Sequence, residues 1–189
     1  MTCYSGTDLL IHQLRNLYSA EIQFQLAMPT IVEGARSDRL ARAIEYDRLD
    51  SGERLERLEA SCAHFGAPPR GERCRGMEGL LKELRNGLLY RATGTADDSA
   101  LRTDCRMVYQ FKHAMYTNLI ALCRGSGEGT VARLLEHNLA AEEELIVLLD
   151  HIDRHKGYRD SYADFTSGAA YPHLYLVPDD AVEARASRS

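Results

Sequence analysis

The sequence predicts an all-α protein: a four-helix bundle with a short extra helix in a long crossover and an irregular C-terminal tail. Three observations carry the prediction. Apolar residues recur at spacings of three and four along four long segments. Clusters of Gly, Pro and Ser punctuate the intervals between them. The composition, 44% hydrophobic and 27% charged with no Trp and five Pro, suits a helical protein. At 189 residues the chain is long enough for one domain with a sizeable core.

The first long helix starts after Gly6, with Thr7 as N-cap and Asp8 in the favourable first turn. Its seam runs Leu10, Leu14, Leu17, Glu21, Phe24 and Met28, and Pro29 predicts a kink or short break. Gly34 and Ser37-Asp38 mark the turn, with Ser37 or Asp38 capping the second helix. That helix carries Leu40, Ile44, Asp47, Ser51, Leu55, Leu58, Cys62 and Phe65 on one face, with Asp50 one turn from Asp47. The segment from Gly66 to Gly71, with two prolines, ends it. Residues 77–90 read as a shorter connecting helix, followed by a linker at Thr93-Gly94-Thr95 and a cap at Asp97 or Asp98.

The third long helix follows a near-heptad rhythm: Leu101, Cys105, Val108, Lys112, Met115, Leu119 and Leu122, with Tyr109 and Tyr116 on the adjoining stripe. A glycine-rich turn, residues 124–129, precedes Thr130 as cap of the fourth long helix. Its seam is Val131, Leu135, Asn138, Glu142, Leu145, Leu149 and Ile152. Residues 1–154 therefore form the bundle and 155–189 a C-terminal extension, rich in Tyr, Gly, Pro and Ser and expected to wrap the bundle or a neighbouring subunit. Four long helices joined partly by one long crossover make the ferritin-like arrangement.

Each seam carries one charged residue near its middle: Glu21, Asp47, Lys112 and Glu142. Inward carboxylates at mid-height of such a bundle are the raw material of a two-metal site, but one helix offers lysine. The net charge of −5, with both signs interleaved, gives no electrostatic reason to expect nucleic acid or an anionic membrane as partner. No run approaches the roughly 20 apolar residues of a membrane span, and MTCYSGTDLL lacks the features of a signal peptide. Five scattered Cys read as reduced thiols of a cytoplasmic protein. The seven His form no ligand-spaced pair beyond His151 and His155, which lie at a helix end where cations favour the dipole. Tyr18, one turn before Glu21, is placed to donate a hydrogen bond toward it.

The stretches LRNLYSAEIQFQLAMP, ERLERLEASCAHFGAPPRGERCRGMEGLLKE, the Tyr116-containing helix and LLEHNLAAEEEL resemble the YciE/YciF family, a ferritin-like, stress-associated group of poorly known function. The resemblance covers roughly residues 8 to 152, and the YSAE and C-x-x-MEGLL elements are its most specific parts. It implies a homodimer and metal-ligand-type side chains on the four long helices. The family's first-helix glutamate corresponds to Glu21, which is kept, and its fourth-helix glutamate to Glu142, also kept. Where the family usually has His and then Glu on the second helix, this chain has Asp47 and Asp50. Where the third helix usually reads Glu-His-Tyr-Glu, this chain has Tyr109, Gln110, Phe111 and Lys112, so both carboxylates are gone. The fourth helix's second acid is replaced by Ile146.

A dimetal carboxylate centre needs about six protein donors; Glu21, Asp47, Asp50 and Glu142 are too few, and His113 points one helical step away from the Lys112 seam. A lysine ammonium has the wrong sign beside two divalent ions. The reading is therefore a degenerate dimetal site: Lys112 is a buried counter-ion to Glu21, Asp47 and Glu142, with Tyr18 and Tyr109 beside them. Since one cation cannot neutralise three acids, a carboxyl must be protonated or solvated, or Arg48 or Arg54 must help. Against it stand solvated readings, with Lys112 snorkelling outward or Glu142 facing water. The expected function is a non-catalytic ferritin-like protein without cofactor. The alternative is an iron- or manganese-binding oxidase, peroxidase-like or iron-handling protein using the four remaining acids. A third possibility is an interaction module whose tyrosine-rich tail, residues 158–176, docks a partner.

Overall fold

The computed structural model describes residues 6–91 and 98–154. Five helices account for nearly all of them: α1 Gly6–Gly34, α2 Asp38–His64, α3 Arg75–Arg91, α4 Ser99–Gly125 and α5 Gly129–Arg154. The linker at 93–95, Asp97, Cys3, His155, His173 and the tail, including residues 158–176, lie outside the described residues. Among the described residues no helix is long and apolar enough to cross a membrane.

Local chemistry sets the helix ends. Ser37 Oγ accepts the Leu40 amide at 3.4 Å, the side-chain cap predicted for α2. Asp98 occupies the N-cap position of α4 without capping it through its side chain. Its carboxylate reaches back to accept the amides of Arg36 at 2.9 Å and Ser37 at 2.5 Å, fastening the α1–α2 turn to the start of α4. Thr7 lies inside α1 rather than capping it, and α1 runs through Pro29 without a break. Met28 and Ile31, both fully buried, hold by packing the turn that the missing proline amide would weaken.

Two apolar clusters give the direction of each helix. One gathers Phe24, Met28, Ile31, Leu40, Ile44, Met77, Leu81, Leu101, Leu145 and Leu149 among others. The second gathers Leu10, Leu14, Leu17, Leu58, Cys62, Leu119, Cys123, Val131 and Leu135. The chain thus rises along α1, descends α2, returns to the first cluster through α3, descends α4 and rises along α5. The helices pack in the cyclic order α1, α2, α5, α4, every neighbour antiparallel, with α3 laid against α1 and α4. This is an all-α bundle with one long crossover, the connectivity of ferritin-like folds.

The seams of α1 and α5 follow the sequence pattern closely; those of α4 and, at one position, α2 do not. Beyond Lys112 its buried positions are Tyr116, Leu119, Ile120 and Cys123, while Met115 is only partly buried and Leu122 is 39% exposed. A helix of 3.6 residues per turn drifts by about 20° per heptad from a strict 3.5 repeat. Accumulated over the two to three heptads that follow Leu101, this drift carries the contact line from Met115 and Leu122 to Tyr116 and Cys123. Likewise Leu55 of α2 is partly buried, and the neighbouring Arg54 is the inward residue.

The elements that carried the family resemblance meet in space. Ser19 Oγ accepts the Cys74 amide at 3.1 Å, and Gln23 Nε2 donates to the Cys74 carbonyl at 3.1 Å. Gly76, in the first turn of α3, lies so close to α4 that a Cβ there would stand 2.7 Å from Phe111 Cζ. The four described cysteines are buried and none of them forms a disulfide.

Candidate functional site: a buried ionic layer

Between the two apolar clusters lies a layer of buried polar side chains from all four long helices. α1 supplies Glu21, α2 supplies Asp47, Ser51 and Arg54, α4 supplies Lys112, and α5 supplies Asn138 and Glu142; none is more than 2% exposed. Each sits on the inward stripe of its helix, flanked one turn away by apolar residues, so the fold itself draws them out of water.

Lys112 Nζ lies 3.0 Å from Glu21 Oε2 and 2.7 Å from Glu142 Oε1, bridging α1 and α5 from α4. Its ammonium also stands 4.9 Å from the Phe24 ring centroid and 5.3 Å from that of Tyr109, positions where aromatic faces favour a cation. Arg54 Nη2 pairs with Asp47 Oδ1 at 2.5 Å, and its Nε approaches Glu21 Oε2 at 3.7 Å and Glu142 Oε1 at 3.8 Å. Two tyrosines complete the acids' coordination: Tyr109 donates to Asp47 Oδ2 at 2.7 Å, and Tyr116 donates to Glu21 Oε1 at 2.8 Å. Asn138 Nδ2 lies 3.2 Å from the Tyr116 hydroxyl and 3.1 Å from the Arg54 carbonyl, and its Oδ1 accepts from Arg57 at 3.0 Å.

The acids differ in how well they are served. Burial would raise the Glu21 pKa, but Lys112 and Arg54 outweigh it and hold the carboxyl below its ordinary range. Glu142 receives less. Its contact with Lys112 lacks hydrogen-bond alignment and its Oε2 has no hydrogen-bond partner. Burial, with the nearby Glu21 and Asp47 charges, pushes its pKa up to about 8 against the pull of Lys112 and Arg54. Burial would likewise lower the Lys112 pKa, yet Glu142 and Glu21 outweigh it and raise it. A proton on Glu142, the form burial favours, would leave two cations facing two carboxylates in a layer without net charge.

Sequence reading named Glu21, Asp47, Lys112 and Glu142, and the fold brings all four together. Asp50 is only partly buried, unlike Asp47. Tyr18 turns away from Glu21 and donates to Glu59 at 2.7 Å instead. Its Cα–Cβ bond tilts toward the helix N-terminus, so the ring covers the preceding turn. Of the two candidate helper arginines, Arg48 pairs with Glu45 on its own helix and Arg54 enters the layer. The tyrosine that donates to Glu21 is Tyr116 instead, a partner that the sequence pattern does not single out. His113 stays at the surface, 3.4 Å from Glu143.

Among the described residues no group of three His, Cys, Asp or Glu side chains is disposed to hold a metal ion. The space between the acids is filled by an ammonium and a guanidinium.

Fold and layer define a helical bundle with an ionic core at mid-height, and its fold recurs in solved structures. Residues 5–155 match the family described as a domain of unknown function, DUF892, and the chain belongs to that family. Protein YciF of Escherichia coli (strain K12) is 25% identical over 137 residues, 72% of this chain and 82% of YciF. The solved structure of YcfI from Rhodopseudomonas palustris, described as a candidate structural protein, aligns with a TM-score of 0.72 at 28% identity, covering 79% of this chain and 95% of YcfI. The crystal structure of the E. coli stress protein YciF aligns with a TM-score of 0.73 at 23% identity, over 79% and 95% of the two chains.

Proposed function

We propose that this chain is a non-catalytic member of its family: a cytoplasmic, homodimeric bundle in which Lys112 takes the place of a carboxylate ligand and the dimetal position has become a structural ion network. The supporting observation is the Lys112 ammonium, fully buried between Glu21 and Glu142 at 3.0 and 2.7 Å. A divalent ion at that point would meet an ammonium within bonding distance of the same oxygens, a repulsion that burial magnifies. A stress-related role is carried over from the description of E. coli YciF as a stress protein.

Element analysis of protein purified after iron, manganese and zinc supplementation tests the reading. The expected content is well below one metal per chain; two tightly bound metals per chain would refute it. The second reading, an iron- or manganese-dependent oxidase, peroxidase-like or iron-handling protein, draws on the convergence of Glu21, Asp47 and Glu142, with Asp50 nearby in sequence. It requires ferrous oxidation in air faster than buffer alone, and Lys112 and Arg54 would have to leave the layer to permit it.

A further inference from the structure

The placement of Arg54 carries the reading of Lys112 one step further, and this step rests on that reading. Three acids from three helices converge, and two side-chain cations lie among them. Lys112 bridges Glu21 and Glu142. Arg54 is anchored on Asp47 and reaches toward the same oxygens, Glu21 Oε2 and Glu142 Oε1, that Lys112 touches. The guanidinium is 1% exposed and its Nη1 has no hydrogen-bond partner, so its place in the layer is set by charge rather than by a full set of donors. Tyr109 and Tyr116 spend their hydroxyl protons on the outer oxygens of Asp47 and Glu21, leaving the facing oxygens to the cations.

We propose that Lys112 and Arg54 together occupy the two cation positions of this layer, and that the layer takes up metal only when both are removed. Neither alone suffices as a block. With Lys112 changed to an acid, Arg54 still lies within 4 Å of all three carboxylates. With Arg54 changed to an apolar residue, Lys112 still bridges two of them. The double variant K112E/R54L places four carboxylates in the layer and no cation, the charge that two divalent ions of an oxygen-favouring metal would match.

The test has two arms. In the first, the full-length wild type, K112E, R54L and K112E/R54L are loaded with manganese, desalted and analysed for metal, with thermal melts alongside. The expected result is one to two manganese ions per chain and a manganese-dependent rise in melting temperature for the double variant alone. A folded double variant that takes no manganese overturns the proposal, as does a single variant that loads as fully as the double. In the second arm, which needs no variant, the native wild-type chain is treated with a lysine-acetylating reagent and an arginine-modifying dicarbonyl, then mapped by peptide mass spectrometry. Lys82 serves as the exposed lysine control. Both Lys112 and Arg54 should be protected, with and without manganese. Protection of Lys112 with modification of Arg54 overturns this proposal alone, whereas modification of Lys112 overturns the underlying reading as well.

Discussion

Replacing Glu142 by glutamine separates two carboxyls that the sequence places on equal footing. The wild-type Glu142 carboxyl has a pKa of about 8 in the fold, against about 4.5 for the free side chain. A carboxyl raised on folding stabilises the native state fully below the unfolded pKa, and that contribution is lost as pH climbs toward the folded value. At about 1.36 kcal/mol per pKa unit, the loss between pH 5 and 8 is about 4 kcal/mol. Glutamine cannot ionise, so E142Q escapes this loss. It instead carries a pH-independent cost of about 1–3 kcal/mol for a buried amide with unmet donors. The variant should therefore be the weaker protein at pH 5 and the equal or stronger one at pH 8. Glu21 does not obscure the comparison: its pKa is lowered on folding, so its contribution falls away only as pH drops below the ordinary carboxylate range. Urea unfolding of both proteins at pH 5, 6, 7 and 8 reads the effect. Curves of stability against pH that run parallel for the two proteins would refute the assignment of a bound proton to Glu142.

Lys112→Met keeps the stem and deletes the charge, leaving Glu21 and Glu142 to share Arg54. Removing one partner of a buried pair costs about 3–5 kcal/mol, to be read as a lowered urea midpoint at pH 7. Tyr109→Phe takes from Asp47 a donor at 2.7 Å; hydrogen bonds to charged groups contribute about 1.5–3 kcal/mol, and calorimetry should show a loss of that size. Gly76→Ala forces a methyl to 2.7 Å from Phe111 Cζ. Overpacking of this kind costs about 1–3 kcal/mol, and faster amide exchange should appear where α3 meets α4.

The helices were legible because local signals agreed with one another: the cap at Ser37, the double proline after α2, and apolar spacing of three and four. The layer was half legible. An isolated charge within an apolar seam is conspicuous, and that is how Glu21, Asp47, Lys112 and Glu142 stood out. Arg54 stood out only as one of two helper arginines, because arginine is so rarely buried whole that Leu55 looks the better seam residue. The stripe Asp47, Ser51, Arg54, Leu58 nevertheless has the proper spacing and could have been followed through the charge. Tyr116 was hidden by the drift of α4, which a fixed heptad cannot track. Which tyrosine reaches Glu21 depends on side-chain tilt and on the facing helix, and neither is written in the spacing of one segment.

The layer is also divided between the two halves of the molecule. The α1–α2 hairpin brings Glu21, Asp47 and Arg54, two negative charges and one positive, a balance of −1. The α4–α5 hairpin brings Lys112 and a protonated Glu142, a balance of +1. Either hairpin alone holds a charge that its own apolar face cannot shelter, and joining them cancels both. Complementary halves of this kind choose their partner and their alignment. A slip of one helical turn, about 5.4 Å, would move Glu142 or Lys112 toward the apolar clusters on either side of the layer. The layer thus gives the bundle a single admissible mating of its halves, which greasy surfaces by themselves would leave open to sliding.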